Sequence, residues 1–203
     1  MIIKVCGMRD SVNIRLVDQL GADWMGFIFY PKSSRYVSQV PAYLPHHMRR
    51  VGVFVNADLD FICRHVADYR LDLIQLHGQE SVEQCALVKR ETGLPVIKAF
   101  GIKADTDFSR IISYCGTVDY LLFDTHTPAA GGSGRSFDHS LLSQYKGDTP
   151  FLLSGGLGPD SVVELQTFSH PAWCGIDLNS CFEMSPALKS VGRLQTFLAG
   201  LGR

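Results

Sequence analysis

The chain has 203 residues, of which 46% are hydrophobic and only 19% are charged, and its formal net charge is −1. This length favours one domain, and so apolar a composition excludes an intrinsically disordered chain. The near-neutral charge, without runs of like charge, provides no basic surface for nucleic acid or for a membrane, so we expect a small-molecule partner.

Eight short apolar runs recur along the chain, and their starts lie roughly 22 to 31 residues apart. That period accommodates a β-strand, a helix and two loops, and near-continuous apolar runs are typical of strands buried on both faces. The runs cover residues 2–5, 24–29, 51–55, 73–76, 96–100, 120–123, 151–153 and 173–178. Eight such units predict an α/β protein, a compact TIM barrel of the (β/α)8 type that forms a single domain over residues 1–203.

Helical patterns with capping residues occupy several of the gaps between these runs. We expect helices over 11–20, 59–69, 81–93 and 161–168, opened by Asp10, Asp58, Gln79-Glu80 and Pro159-Asp160. Pro41 and Pro45 interrupt the segment 38–47, so the second helix should be short or bent, and the weakly patterned fifth helix, around 107–114, should also be irregular. Longer loops should follow the second and sixth strands, over 30–38 and 125–137.

Six cysteines are scattered along the chain without a CxxC pair, so the sequence predicts neither a zinc site nor a disulfide framework. A first strand that starts at Ile2 leaves no room for a signal peptide, and no apolar run approaches the roughly 20 residues that span a bilayer. We therefore expect a soluble, cytoplasmic protein. A barrel of this size is compatible with a monomer or a homodimer.

The residue at the end of each predicted strand is informative, because TIM barrels build their active sites at the C-terminal ends of the strands. Two of these residues are candidates for proton transfer, Cys6 after the first strand and Asp124 after the sixth. A thiol base needs nearby positive charge or helix N-termini, and a carboxylic acid needs burial to stay protonated near neutral pH. The alternatives are a packing role for Cys6 and a capping role for Asp124.

The loops after the seventh and eighth strands are where this fold usually holds phosphate. The seventh strand ends in Ser154-Gly155-Gly156, whose exposed backbone N–H groups suit an anion, and the eighth ends in Asn179-Ser180. Arg35, in the loop after the second strand, either clamps a substrate carboxylate or is solvated. His77 is either a pocket residue or a core histidine bonded to the backbone.

Taken in order, eight motifs resemble the phosphoribosylanthranilate isomerase family, (β/α)8 enzymes of tryptophan biosynthesis. They are KVCGMRD at 4–10, GADWMGFIFYPKSSRYVS at 21–38, VGVFVN at 51–56, QLHGQE at 75–80, LLFD at 121–124, GGSGRSFDHSLL at 131–142, LSGGLGPDSV at 153–162 and GIDLNSCFE at 175–183. The resemblance extends over nearly the whole chain, and eight ordered motifs are far more specific than any single glycine loop.

The resemblance implies an aldose–ketose isomerase that uses neither cofactor nor metal. It would convert N-(5-phosphoribosyl)anthranilate to 1-(2-carboxyphenylamino)-1-deoxyribulose 5-phosphate by an Amadori rearrangement. Cys6 would be the general base and Asp124 the general acid. Arg35 would bind the anthranilate carboxylate, and His77 and Asp177 would line the pocket. The phosphate-binding residues implied by the resemblance are Gly155, Gly156, Asn179 and Ser180, with Gly134 in the loop after the sixth strand closing over the phosphate.

The chain departs from the family pattern after the last strand, where SGVE or SRFE followed by PGxKD is expected. Here residues 180–183 read SCFE and residues 186–190 read PALKS, so Cys181 and Ala187 are departures. Three other interpretations remain open. A sugar isomerase of histidine biosynthesis would carry an aspartate in place of Cys6, and an indole-glycerol-phosphate synthase would need a lysine acid. A phosphate-binding barrel without catalysis would not need both Cys6 and Asp124.

Overall fold

The computed structural model describes residues 1–125 and 139–203, and eight parallel strands within these ranges form a closed barrel. The strands are β1 (Ile2–Val5), β2 (Trp24–Ile28), β3 (Arg49–Phe54), β4 (Leu73–Leu76), β5 (Val96–Gly101), β6 (Tyr120–Asp124), β7 (Phe151–Ser154) and β8 (Trp173–Leu178). Each strand pairs with the next along the chain, and β8 pairs with β1, placing Lys4 opposite Asp177. The predicted barrel is therefore confirmed, with every strand close to its expected position.

The helices of the described ranges follow the strands that precede them. They are α1 (Ser11–Asp18), α2 (Leu59–Tyr69), α3 (Val82–Thr92), α4 (Phe108–Ile112), α5 (Val162–Thr167) and α6 (Val191–Gly200). Asp10 and Asp58 cap α1 and α2 as predicted, whereas α3 is capped by the hydroxyl of Ser81 and begins slightly later than expected. The weakly patterned segment 107–114 forms the short helix α4, and none of the described helices is long and apolar enough to cross a membrane.

The segment between β2 and β3 contains no helix, so the short or bent helix predicted over 38–47 is wrong. Residues 29–48 run as turns and bends instead. The buried carboxylate of Asp18, in α1, accepts hydrogen bonds of 2.8 to 3.1 Å from the Tyr43 hydroxyl and from the N–H groups of residues 46–48. These backbone groups are therefore satisfied without a helix, which Pro41 and Pro45 would have interrupted.

The segment after β8 forms a small structure that the sequence patterns did not predict. A 3-10 helix over Ser180–Phe182 leads into an antiparallel hairpin of β9 (Glu183–Ser185) and β10 (Leu188–Lys189). In the turn, Ala187 has a φ of +67°, in the left-handed region that favours glycine. The glycine of the family pattern thus suits the backbone at this position, and Ala187 adopts the same region despite its Cβ.

Alternating strand residues divide the core in two. The larger cluster packs the outer face of the barrel against the helices, and a smaller one, which includes Trp24, Val51, Leu73, Leu122 and Leu152, fills the interior. On β4, β6 and β7, the inward positions two residues further along are polar, namely Gln75, Asp124 and Ser154. The barrel interior is therefore apolar at its N-terminal end and becomes polar where these three strands end.

Candidate active site

A cavity of about 400 Å³ opens at the C-terminal ends of the strands. Nine of the ten site residues proposed from the sequence line it, namely Cys6, Arg35, His77, Asp124, Gly155, Gly156, Asp177, Asn179 and Ser180. The tenth, Gly134, lies outside the described residues. The barrel therefore brings together side chains and loops that come from its first to its last strand.

Cys6 is buried at the end of β1, with 3% of its surface exposed. Its N–H donates a 2.8 Å hydrogen bond to the carbonyl of Leu178, which ties the cysteine to the end of β8. Gly26 lies beside it on β2, and a Cβ at that position would come within 2.6 Å of the Cys6 Sγ. The absence of a side chain on Gly26 therefore gives the thiol the space that it occupies.

The electrostatic environment of Cys6 is set by burial and by a buried lysine. Burial raises the pKa of the Cys6 thiol, and the positive charge of Lys4 opposes this shift. Lys4 donates a 2.9 Å hydrogen bond to Oδ1 of Asp177. Burial acts to lower the pKa of Lys4, but the charges of Asp177 and Cys6 raise it above its ordinary value. The charged lysine therefore opposes the effect of burial on the thiol, although the net pKa of Cys6 stays above its ordinary value.

His77 and Asp124 face each other across the cavity. The His77 Nε2 lies 3.8 Å from Oδ2 of Asp124, and the amide nitrogen of Gln75 lies 3.2 Å from the other ring nitrogen, Nδ1. An amide nitrogen can only donate, so Nδ1 accepts and the ring proton resides on Nε2, toward Asp124. Burial lowers the pKa of His77, which keeps the ring neutral at neutral pH.

The loop after β7 has the backbone conformation expected of an anion-binding turn. Gly155 and Gly156 have φ values of +95° and +69°, and a Cβ added to Gly156 would meet no atom within 4 Å. The space beside Gly156 is therefore open, and the lack of a Cβ lets a ligand come close to this turn. Cys181 Sγ lies 3.5 Å from the Gly156 carbonyl oxygen, which connects this loop with the segment after β8.

Arg35 is held by a carboxylate of the β9–β10 hairpin. Its Nε and Nη2 donate hydrogen bonds of 2.8 and 2.6 Å to the two carboxylate oxygens of Glu183. Glu183 also accepts a 2.6 Å hydrogen bond from the Nζ of Lys189, which in turn donates one of 2.8 Å to Oδ1 of Asn179. Arg35 is thus part of an ionic network, and the alternative of a solvated loop arginine is wrong.

The sequence did not predict four polar residues of this region as site residues: Lys4, Gln75, Glu183 and Lys189. Lys4 and Gln75 each lie two residues before a candidate site residue, on the same strand face, so the two-residue period of a strand was a usable signal. No such signal existed for Glu183 and Lys189, because the hairpin that carries them was not predicted. Within the described residues, no cluster of three or more histidine, cysteine, aspartate or glutamate side chains could hold a metal ion.

Comparison with known proteins gives consistent matches. The family model described as N-(5'phosphoribosyl)anthranilate (PRA) isomerase matches residues 3–199. An N-(5'-phosphoribosyl)anthranilate isomerase of Phocaeicola vulgatus is 52% identical over 198 residues, covering 98% of this chain and 96% of the relative.

Solved structures agree with these matches. Monomers generated from the dimeric phosphoribosylanthranilate isomerase of Thermotoga maritima match with a TM-score of 0.81 and 31% identity, over 100% of this chain and 99% of theirs. A phosphoribosylanthranilate isomerase in complex with reduced 1-(o-carboxyphenylamino)-1-deoxyribulose 5-phosphate matches with a TM-score of 0.79 and 30% identity, over 100% and 99% of the two chains.

Proposed function

The chain belongs to the N-(5'-phosphoribosyl)anthranilate isomerase family of tryptophan biosynthesis, and we propose that Cys6 is its general base and Asp124 its general acid. The family match argues against the three alternative functions, namely a histidine-pathway sugar isomerase, an indole-glycerol-phosphate synthase and a phosphate-binding barrel without catalysis. One observation supports the two roles above all: a thiol and a carboxylate from β1 and β6 line the same cavity as the glycine turn after β7. An acid and a base can thus act on one bound sugar phosphate.

The first step opens the furanose ring. Asp124 gives its proton to the ring oxygen, the bond between that oxygen and C1′ breaks, and the nitrogen lone pair forms a protonated C1′=N Schiff base. The carboxylate left on Asp124 faces the Nε2–H of His77, 3.8 Å away. His77 therefore stabilises the charge that develops on the acid, which is a supporting role in the pocket.

The second step removes the proton from C2′, which the positive nitrogen of the Schiff base has made acidic. The Cys6 thiolate accepts this proton, and the electron pair of the C–H bond forms a C1′=C2′ double bond while the nitrogen becomes neutral. The enolamine then tautomerises to the ketone. A positioned acid or base typically contributes about 10²–10⁴-fold to the rate, so two such groups supply most of the chemistry that this rearrangement needs.

Substrate orientation follows from the two anion sites of the cavity. The phosphate binds the turn at Gly155-Gly156 and the Asn179-Ser180 segment, and the anthranilate carboxylate binds Arg35. Asp177 lines the cavity and holds Lys4 by the 2.9 Å ion pair. The role of Gly134 in covering the phosphate belongs to this proposal on family resemblance alone.

We further propose that the protein acts in the cytoplasm on a small phosphorylated substrate, as a monomer or a homodimer. The scattered cysteines, all of them free thiols, suit a reducing compartment. The related enzyme of Thermotoga maritima is described as dimeric, which supports the homodimer as one of the two states.

The assay that tests the catalytic roles follows the loss of anthranilate-type fluorescence on turnover of phosphoribosylanthranilate. Cys6→Ser should reduce kcat by at least about a hundredfold with the fold retained, because a serine hydroxyl is a far weaker base than a thiolate. Asp124→Asn should reduce it comparably. The matched control is Cys85→Ser, since Cys85 is a fully buried thiol of α3 outside the cavity, and its turnover should stay normal. Near-normal turnover of Cys6→Ser would refute the assignment.

A further inference from the structure

Glu183 occupies one edge of the Arg35 guanidinium group. The Nε–H and one N–H of Nη2 point to the two carboxylate oxygens at 2.8 and 2.6 Å, which is the bidentate geometry that fixes both the position and the plane of a guanidinium group. Glu183 itself is buried, with 6% of its side chain exposed, whereas Arg35 retains 22%. The exposed part of the arginine belongs to the wall of the cavity.

A guanidinium group has a second edge for bidentate binding, formed by Nη1 and the outer N–H of Nη2. Glu183 takes the Nε side, so the second edge is the one that an incoming carboxylate can bind. Because the guanidinium group is planar, the direction in which Glu183 holds it also sets the direction from which that carboxylate must approach. Glu183 therefore orients the part of Arg35 that is proposed to bind substrate.

Glu183 is in turn fixed from two sides. The Nζ of Lys189, a fully buried residue, donates to Oε1 at 2.6 Å, and the N–H of Ala187 donates to the same oxygen at 3.1 Å. Burial lowers the pKa of Lys189, while the bond and the charge of Glu183 oppose this shift. The cluster of Arg35, Glu183 and Lys189 contains two positive charges and one negative charge. Its net positive charge attracts an anion.

We propose that Glu183 is a positioning residue for the substrate carboxylate, acting through Arg35, and that Lys189 holds Glu183 in place. The inference rests on the proposed role of Arg35 as the carboxylate-binding residue. Without Glu183, the long arginine side chain would sample several rotamers, and binding would have to restrict them at the expense of affinity. The loss should therefore appear in substrate binding rather than in the chemical steps at Cys6 and Asp124.

A double-mutant cycle on the full chain tests this proposal, with KM and kcat measured for phosphoribosylanthranilate. Arg35→Met should raise KM by about 10- to 100-fold, as expected for loss of a charge-assisted hydrogen bond. Glu183→Gln should raise KM at least about fivefold with kcat changed by less than about threefold, and it should add almost nothing in the Arg35→Met background.

The matched control for a lost buried carboxylate is Asp18→Asn. Asp18 is 1% exposed and accepts several hydrogen bonds, but it lies at the end of α1 outside the cavity, so its variant should lose thermal stability with KM unchanged. If Glu183→Gln does not fold, Glu183→Asp enters the same cycle. Its shorter side chain should give a KM between those of the wild type and Arg35→Met.

Two outcomes would overturn the proposal and they are distinguishable. If the Glu183 variant raises KM by the same factor with and without Arg35, Glu183 acts independently of the arginine, and the inference fails while the role of Arg35 stands. If Arg35→Met leaves KM unchanged, the arginine does not bind the substrate carboxylate, and the inference fails together with that part of the proposed function.

Discussion

The imidazole of His77 presents its protonated nitrogen, Nε2, to Asp124 because Gln75 binds the opposite nitrogen, Nδ1, at 3.2 Å. Gln75 is 1% exposed, and its side-chain oxygen has no hydrogen-bond partner among the described residues. We therefore expect the amide nitrogen of this one buried side chain to select the tautomer that faces the proposed acid.

The tautomer of His77 can be measured directly. Gln75→Met removes the donor to Nδ1, and we expect ¹⁵N NMR shifts to change from the Nε2–H form to a mixture of both tautomers, with a two- to tenfold lower kcat, as expected for a neutral hydrogen bond of roughly 0.5–1.5 kcal/mol. His65 is an internal control, because its Nδ1 lies 2.8 Å from the Phe61 carbonyl oxygen and must carry the proton there. An unchanged His77 spectrum would show that Gln75 does not select the tautomer.

The pH dependence of wild-type kcat should report the same ring. Burial lowers the pKa of His77 below 6.5. As the pH falls, His77 is therefore protonated at a lower pH in the folded protein than in the unfolded chain. Stability should therefore decline as the pH falls from about 6.5 through the folded pKa. Activity should decline on the same side, because an imidazolium beside Asp124 favours the ionised form of the acid. Titration of His77 by NMR with a midpoint above 6.5 would contradict this expectation.

Replacing Lys4 should affect both stability and the pH profile. Lys4→Met leaves Asp177 buried without its 2.9 Å partner, and we expect the free energy of unfolding to fall by about 3–5 kcal/mol. The pKa that the kcat/KM profile reports for Cys6 should also move to higher pH, because the charge of Lys4 acts to lower it. The double variant Lys4→Met/Asp177→Asn should regain the lost free energy of unfolding, but its kcat/KM profile should stay shifted to higher pH. Recovery of both would mean that Lys4 acts only through the ion pair.

A methyl group on Gly26 should displace the thiol of Cys6, since it would lie 2.6 Å from Sγ and 3.1 Å from Cα of that residue. We expect Gly26→Ala to fold and to reduce kcat by about tenfold or more, with a smaller change in KM. The matched control is Gly52→Ala on β3, where the added methyl meets side chains of Leu71 and Phe54 instead. That variant should lose stability and keep kcat, and equal kcat losses in the two variants would refute the steric explanation.

The proposed phosphate site predicts competitive inhibition by inorganic phosphate. Gly156→Ala, and Gly156→Val more strongly, should raise both the inhibition constant for phosphate and KM. Gly93→Ala is the control for backbone strain without ligand contact. Gly93 ends α3, its φ is +67° compared with +69° for Gly156, and a Cβ at either position would meet no atom within 4 Å. Both Ala variants should cost about 1–2 kcal/mol of stability, but Gly93→Ala should keep KM normal. Non-competitive inhibition would place the substrate phosphate elsewhere.

Sequence patterns predicted the barrel because its determinants are local. Continuous apolar runs mark strands buried on both faces, and Asp10 and Asp58 cap helices through backbone groups only a few residues away. The strand-end residues followed from the same logic, since every strand of a closed parallel barrel ends on one rim.

The missing helix over 38–47 and the Arg35–Glu183 pair depend instead on contacts that are distant along the chain. Asp18 satisfies the backbone of residues 46–48 from 28 to 30 positions away, and Arg35 and Glu183 are 148 positions apart. A composition pattern carries no information about which long-range partner a given side chain finds. Tertiary contacts therefore decided both features.

The proposed reaction centre lies at the junction where the first and last strands of the barrel pair. Lys4 and Asp177 are 173 positions apart, and the N–H of Cys6 binds the carbonyl of Leu178. During synthesis, a chain that has completed β7 already has both residues proposed to transfer protons, yet Lys4 still lacks Asp177 and β1 still lacks its β8 neighbour. We therefore expect catalytic competence to depend on the docking of β8, so that turnover during refolding should appear together with closure of the barrel.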